Sequence, residues 1–164
     1  MQTRLRFNIS HSGSLVLFGF TLDCEIGVDV EQVHPMPDLL AIATRFFCRE
    51  EVEELVRLPP EERTAAFFRC WTRKEAYLKA LGEGLHQPLD SFRVSVAPNL
   101  PARIIDTYNS DIYNSTMPAV GWTLHDVELI SGYSGAIAYT DAPRDICVEP
   151  MIEGQELLHL RCCQ

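Results

Sequence analysis

The sequence predicts an α+β fold, a small antiparallel sheet packed against a long central helix and shorter helices, and three observations carry that reading. Short apolar runs bounded by Gly, Asn and Asp open the chain and return after residue 92. Between them the pattern changes to a three-to-four-residue apolar repeat, interrupted at Pro59-Pro60. A hydrophobic content of 46% over 164 residues is enough for one packed core, so residues 1–164 are expected to form a single domain.

Leu5 to Ile9, Leu15 to Phe20 and Glu25 to Val30 read as strands, with Gly13-Ser14 and Leu22-Asp23 supplying the turns; together they predict one small opening sheet. His34-Pro35-Met36-Pro37 breaks the chain before a helix in which Leu39, Leu40, Ile42, Ala43, Phe46 and Phe47 recur at helical spacing. A second helix is expected from Arg49 to Leu58, with Glu50, Glu51 and Glu53 in its first turns, where the helix dipole favours acids. Pro59-Pro60 ends it and starts a long helix from Glu61 to Leu81, stopped by Gly82-Glu83-Gly84. Strands are expected again at Phe92 to Val96, Trp122 to Leu129 and Gly135 to Tyr139. A Pro, Asn and Ser rich irregular stretch fills Pro98 to Pro118, and a last helical turn is placed at Gly154 to Leu160.

Composition narrows the function classes. The longest apolar runs, such as Leu15 to Phe20, are too short to cross a bilayer, and Met1 to Ser10 lacks the apolar stretch of a secretion signal, so a cytoplasmic protein is expected. Of six cysteines none forms a C-x-x-C pair and no His stands at zinc-finger spacing; they read as reduced, mostly buried thiols, with Cys162 and Cys163 near the C-terminus. A net charge of −9 argues against nucleic acid as a partner. Lysine usage is sharper. The chain has two lysines, Lys74 and Lys79, and both fall within Trp71 to Leu85.

Three constellations could carry chemistry. Asp29 and Glu31 stand two apart in a strand, which projects both carboxylates from one side. Hard oxygens so placed suit Mg²⁺, which takes one or two carboxylates plus phosphate oxygens, and the same spacing also fits a polar strand end entering a loop. On the long helix Phe67, Cys70, Trp71, Leu78 and Leu81 share an apolar stripe with Glu75 and Lys79 at its border. Glu75 and Lys79 are i and i+4, which also suits an ordinary surface ion pair. Lys74 falls inside the stripe, where an ammonium needs snorkelling room or a fixed anion, and a phosphate would serve. Asn8 to Gly13 holds Ser10 and His11 at a turn. Such a cluster fits hairpin geometry and could also bind a phosphate.

Phe7-Asn8-Ile9-Ser10-His11-Ser12, Ile26-Gly27-Val28-Asp29-Val30-Glu31 and the run Trp71 to Ala80, in this order, resemble the three signature blocks of the 4′-phosphopantetheinyl transferases, in the Sfp-type form. Arg45-Phe46-Phe47 followed by Glu50 and Glu51, then Gly82-Glu83-Gly84-Leu85 and Pro88-Leu89-Asp90-Ser91-Phe92, are similar to the same family. The resemblance covers about residues 5–96 and is thin over the strands of 97–164. It implies a phosphopantetheinyl transferase-like lobe that moves the 4′-phosphopantetheine arm of coenzyme A onto a serine of an apo acyl or peptidyl carrier protein and releases 3′,5′-ADP. On that resemblance Asp29, Glu31 and Glu75 would hold Mg²⁺, and Glu75, directly or through a water on the metal, would take the serine proton. Lys79 would stabilise the transferring phosphate, Lys74 and His11 would contact coenzyme A phosphates, and Ser10 would shape the turn.

Sfp-type members resemble two similar lobes, with the first block well inside the chain, whereas here it starts at Phe7. The N-terminal lobe is therefore expected to be missing, and three readings stay open: a fragment or mis-started frame, a chain that completes its site as a homo-oligomer, or a relic that binds without turnover. Outside the family, a Mg²⁺-dependent phosphodiesterase and a non-catalytic carrier-binding module are the alternatives. An acidic carrier would need a basic docking patch, for which Arg45, Arg49, Arg69 and Arg73 are the candidates.

Overall fold

A computed structural model describes residues 4–82, 87–108, 116–117 and 121–150. Its order is three strands, three helices and five further strands, an α+β arrangement. β1 (Leu5–Ser12) and β2 (Leu15–Leu22) form a hairpin closed by Gly13-Ser14. Gly13 has φ +56°, and a side chain there would also stand 2.5 Å from Gln32 Oε1.

β3 (Ile26–Gln32) does not complete one opening sheet with the hairpin, contrary to the sequence expectation. It pairs antiparallel with β8 (Tyr133–Thr140), which pairs with β7 (Trp122–Asp126), in the order β3-β8-β7. The reason lies in the free edge of β3. Alternate N–H groups of a strand point to opposite edges, and those of Val28, Val30 and Gln32 donate to Asn8 Oδ1 (3.0 Å), Ser10 Oγ (3.2 Å) and Ser12 Oγ (3.0 Å). Side chains of β1, spaced by two, replace a backbone ladder.

The helices fall close to expectation: α1 Leu39–Phe46, α2 Arg49–Arg57 and α3 Pro60–Leu81. α3 starts on Pro60, carries Glu61 and Glu62 in its first turn, and stops at Gly82 in the left-handed region (φ +72°). It packs on β3 and β8 and also on α1, α2 and β4 (Phe92–Val94), so burial extends beyond one stripe to Phe68, Arg73, Ala76, Tyr77 and Ala80. β5 (Ile104–Tyr108) and β6 (Thr116–Met117) extend β4 into a third small sheet. Both lie in the stretch expected to be irregular, where Pro, Asn and Ser dilute the strand signal of Ile104-Ile105. The turn expected at Gly154 to Leu160 lies outside the described residues, as do Cys162 and Cys163.

Gly27 fixes how close α3 comes to β3. A Cβ on it would lie 2.1 Å from the Ala76 carbonyl oxygen and 2.3 Å from the Ala80 nitrogen, both backbone atoms that cannot turn aside. Gly27→Ala is expected to destabilise by about 1–3 kcal/mol or more through overpacking, read as a lower urea midpoint. An unchanged midpoint would refute this contact.

Cys24, Cys48 and Cys70 are buried thiols outside any disulfide, and the Cys147 side chain is exposed. Among the described residues no helix is long and apolar enough to cross a membrane. The hairpin inverts the usual sheet polarity: Asn8, Ser10 and Ser12 face β3, while Leu5, Phe7, Ile9, Val16, Phe18, Phe20 and Leu22 occupy the outer face and are exposed.

Candidate active site

β1, β3 and α3 meet at Asp29. Ser10 Oγ donates to Asp29 Oδ1 at 2.8 Å, and Lys79 Nζ donates to the same oxygen at 2.6 Å and to Ser10 Oγ at 3.0 Å. One turn of sheet further, Ser12 Oγ donates to Glu31 Oε2 at 2.8 Å. Each serine thus accepts an N–H from β3 and donates to a carboxylate of β3, which locks the hydroxyl in direction. The spacing of two in Ser10-x-Ser12 matches that in Asp29-x-Glu31, and this was the available signal for Ser12, which the motif reading did not single out. Gly27, on the same side of β3, lets α3 close in so that Glu75 and Lys79 face this row.

Electrostatics tie Glu75 to the row. Burial, then the Asp29 charge and the Glu31 charge, raise the Glu75 pKa, with Lys79 opposing. Burial raises that of Asp29 more than the Lys79 and Ser10 hydrogen bonds lower it. Asp29 and Glu75 share the field of the Lys79 ammonium with Glu31 beside them, and a divalent cation would balance the remaining charge. Asp29 Oδ2 is buried without a hydrogen-bond partner, an orphan acceptor of the type a cation satisfies. The hard-oxygen set fits Mg²⁺ in chemistry. In the arrangement shown the three acids are near enough to feel each other's charge, yet among the described residues no three His, Cys, Asp or Glu side chains converge closely enough to hold a metal ion.

Lys74 has its partners within the protein. Its side chain is 0% exposed and paired at 2.9 Å with Glu51, also 0% exposed; it donates further to the carbonyls of Leu89 (2.8 Å) and Phe92 (2.5 Å). The anion required by its place in the apolar stripe is Glu51. Glu51 is likewise no surface dipole partner: it accepts the N–H of Cys48 and of Val94. Burial beside this pair pushes the Cys48 thiol up to about 12. His11 is exposed on the outer face of β1, opposite Ser10, as alternation of adjacent strand residues requires. It does not join the acid row.

The docking arginines divide. Arg73 is 1% exposed, held by Asp126 through two hydrogen bonds (2.7 and 2.6 Å) and by Ser95, so it cannot greet a partner. Arg45 and Arg49 are exposed, whereas Arg69 is half-buried with Nη1 unpartnered.

A row of oriented acids, a partly exposed ammonium and a helix pressed on a strand by glycine define a site suited to a divalent cation and a phosphorylated ligand. The chain belongs to the 4′-phosphopantetheinyl transferase superfamily, whose sequence model matches residues 25–138. It is 42% identical over 103 residues to the 4′-phosphopantetheinyl transferase HetI of Nostoc sp., covering 63% of this chain and 43% of that protein. Similarity to the 4′-phosphopantetheinyl transferase Sfp of Bacillus subtilis is 35% identity over 93% of this chain and 62% of Sfp. With the 4′-phosphopantetheinyl transferase psf-1 of Bacillus pumilus it is 43% over 52% of this chain and 36% of that one. The chain therefore spans less than two thirds of each of these relatives.

Proposed function

We propose that this chain transfers the 4′-phosphopantetheine group of coenzyme A to a serine of an apo acyl or peptidyl carrier protein, with Mg²⁺ and in the cytoplasm. The observation that carries the proposal is the node at Asp29, where the three motif segments converge on one another through Ser10, Asp29 and Lys79. Asp29, Glu31 and Glu75 would hold Mg²⁺, which when bound would neutralise charge on the pyrophosphate. Glu75, half-buried and with a raised pKa, is a stronger base than a free carboxylate and takes the proton from the carrier serine. The serine oxygen bonds to the β-phosphorus as the bond to 3′,5′-ADP breaks, and Lys79 stabilises the charge that moves onto the phosphates. His11 remains a proposed phosphate contact from the outer side of β1. Arg45 and Arg49 are the remaining candidates for the acidic carrier, with Arg69 beside them.

Incubation with coenzyme A, Mg²⁺ and several apo carriers should add the phosphopantetheine mass to the carrier serine, read by intact-mass spectrometry. No adduct on any carrier would sink the transferase reading.

Self-association belongs to the same proposal. Seven apolar side chains on the hairpin's outer face are each 39–67% exposed and together present on the order of 600 Å². That is at the upper limit for a monomer's patch and near the roughly 800 Å² per partner of a stable interface. A second copy with its hairpin face opposed fits this apolar surface, leaving His11, beside Val16 at the turn end of the face, at its edge. Sedimentation should show a dimer that Phe7→Asp dissociates; a wild-type monomer at high concentration would exclude it.

A further inference from the structure

Asp29 is 3% exposed, while the Lys79 side chain that pairs with it is 31% exposed and reaches it from the last turn of α3. The ammonium therefore occupies one oxygen of a buried carboxylate from the solvent side, and the other oxygen has no partner. A cation shared by Asp29, Glu31 and Glu75 would sit beside this ammonium and repel it. The acids also fail to converge while Asp29 is drawn to Lys79 and Ser10.

Resting on the transferase reading above, we propose that Lys79 is the resident counter-cation of the acid row and that a divalent cation enters by exchange, releasing the Lys79 ammonium from Asp29 toward an anionic group of the bound ligand. A lysine suits this because its charge rides on a flexible stem with three donors that can be re-aimed. Exchange couples the two ligands. A phosphate that captures the freed ammonium lowers the cost of metal binding, and by linkage the metal strengthens phosphate binding to the same extent. Lys79 would thus be available to stabilise phosphate only after the metal has arrived. In the competing arrangement Lys79 stays on Asp29, and the metal is held by Glu31 and Glu75 alone.

The chain's two lysines make the exchange directly visible. In protein labelled at lysine Cε and Nζ, MgCl₂ should move the Lys79 signal in step with the binding heat measured by calorimetry. The Lys74 signal, locked to Glu51, should stay in place as an internal reference. Lys79→Met should bind Mg²⁺ on the order of tenfold more tightly than wild type. Saturating heat with an unmoved Lys79 signal, or no tightening in Lys79→Met, overturns the exchange. If carrier modification persists alongside either result, the transferase reading stands and only the exchange falls. If neither protein takes up Mg²⁺, the exchange and the metal part of that reading fall together.

Discussion

Glu75→Gln is expected to lower phosphopantetheine transfer by about 10²–10⁴-fold, the usual contribution of a positioned general base, without loss of fold. The amide keeps the size of the side chain and removes only its basicity and charge. Stability in the absence of metal should rise, because the carboxylate is held in a place that disfavours its ionised form: burial and the charges of Asp29 and Glu31 outweigh the help from Lys79. The sign follows from proton linkage. A carboxylate with a raised folded pKa holds its proton in the native state over a range where the unfolded chain has lost it, so stability falls as pH rises from the ordinary carboxylate value through the folded one. Asp29 and Glu75 both act in this direction. Metal-free wild type should therefore lose stability as pH climbs above about 4, and Glu75→Gln should show a shallower slope with only the Asp29 share left. Urea midpoints across that range, beside carrier-modification rates, check both statements. Wild-type turnover in the variant would remove Glu75 from the base role.

The same residues show how much could be read from the sequence. The Asp29 and Glu31 pair, the Glu75 and Lys79 pair and the bounds of α3 were legible because each rests on a local period, two for a strand and near 3.6 for a helix, with Pro60 and Gly82 marking the ends. The partner of β3 was not legible. β8 lies about a hundred residues away, and nothing local distinguishes a strand that pairs with its hairpin neighbour from one that receives that neighbour's serines. Lys74 was legible as an oddity and not as an answer: its position demanded an anion, yet Glu51 reaches it from another helix. His11 could have been separated from Ser10 by alternation alone, once β1 was taken to continue through Ser12.

Lys74→Met is expected to cost about 3–5 kcal/mol of stability, because it strands the Glu51 carboxylate in a site closed to water. The two groups are each 0% exposed and 2.9 Å apart, and the ammonium also lies over the Phe92 ring at 4.4 Å. Glu51→Gln should be similarly harmful from the other side, leaving an ammonium with neutral partners, the Leu89 and Phe92 carbonyls, the Cys48 sulfur and aromatic faces, to offset its charge. Together the two substitutions should cost far less than their sum, since removing both charges abolishes the uncompensated burial while the Gln oxygen can still accept from the N–H groups of Cys48 or Val94. This non-additivity, read from urea midpoints, separates a buried pair from two independent packing losses. Kinetics give a second discrimination. A lysine that gripped a coenzyme A phosphate would, when replaced, raise KM for coenzyme A at unchanged stability; here the double variant should keep KM close to wild type while Lys74→Met unfolds at lower urea. A raised KM with an intact midpoint would return Lys74 to the ligand and overturn the purely structural role of its pair with Glu51.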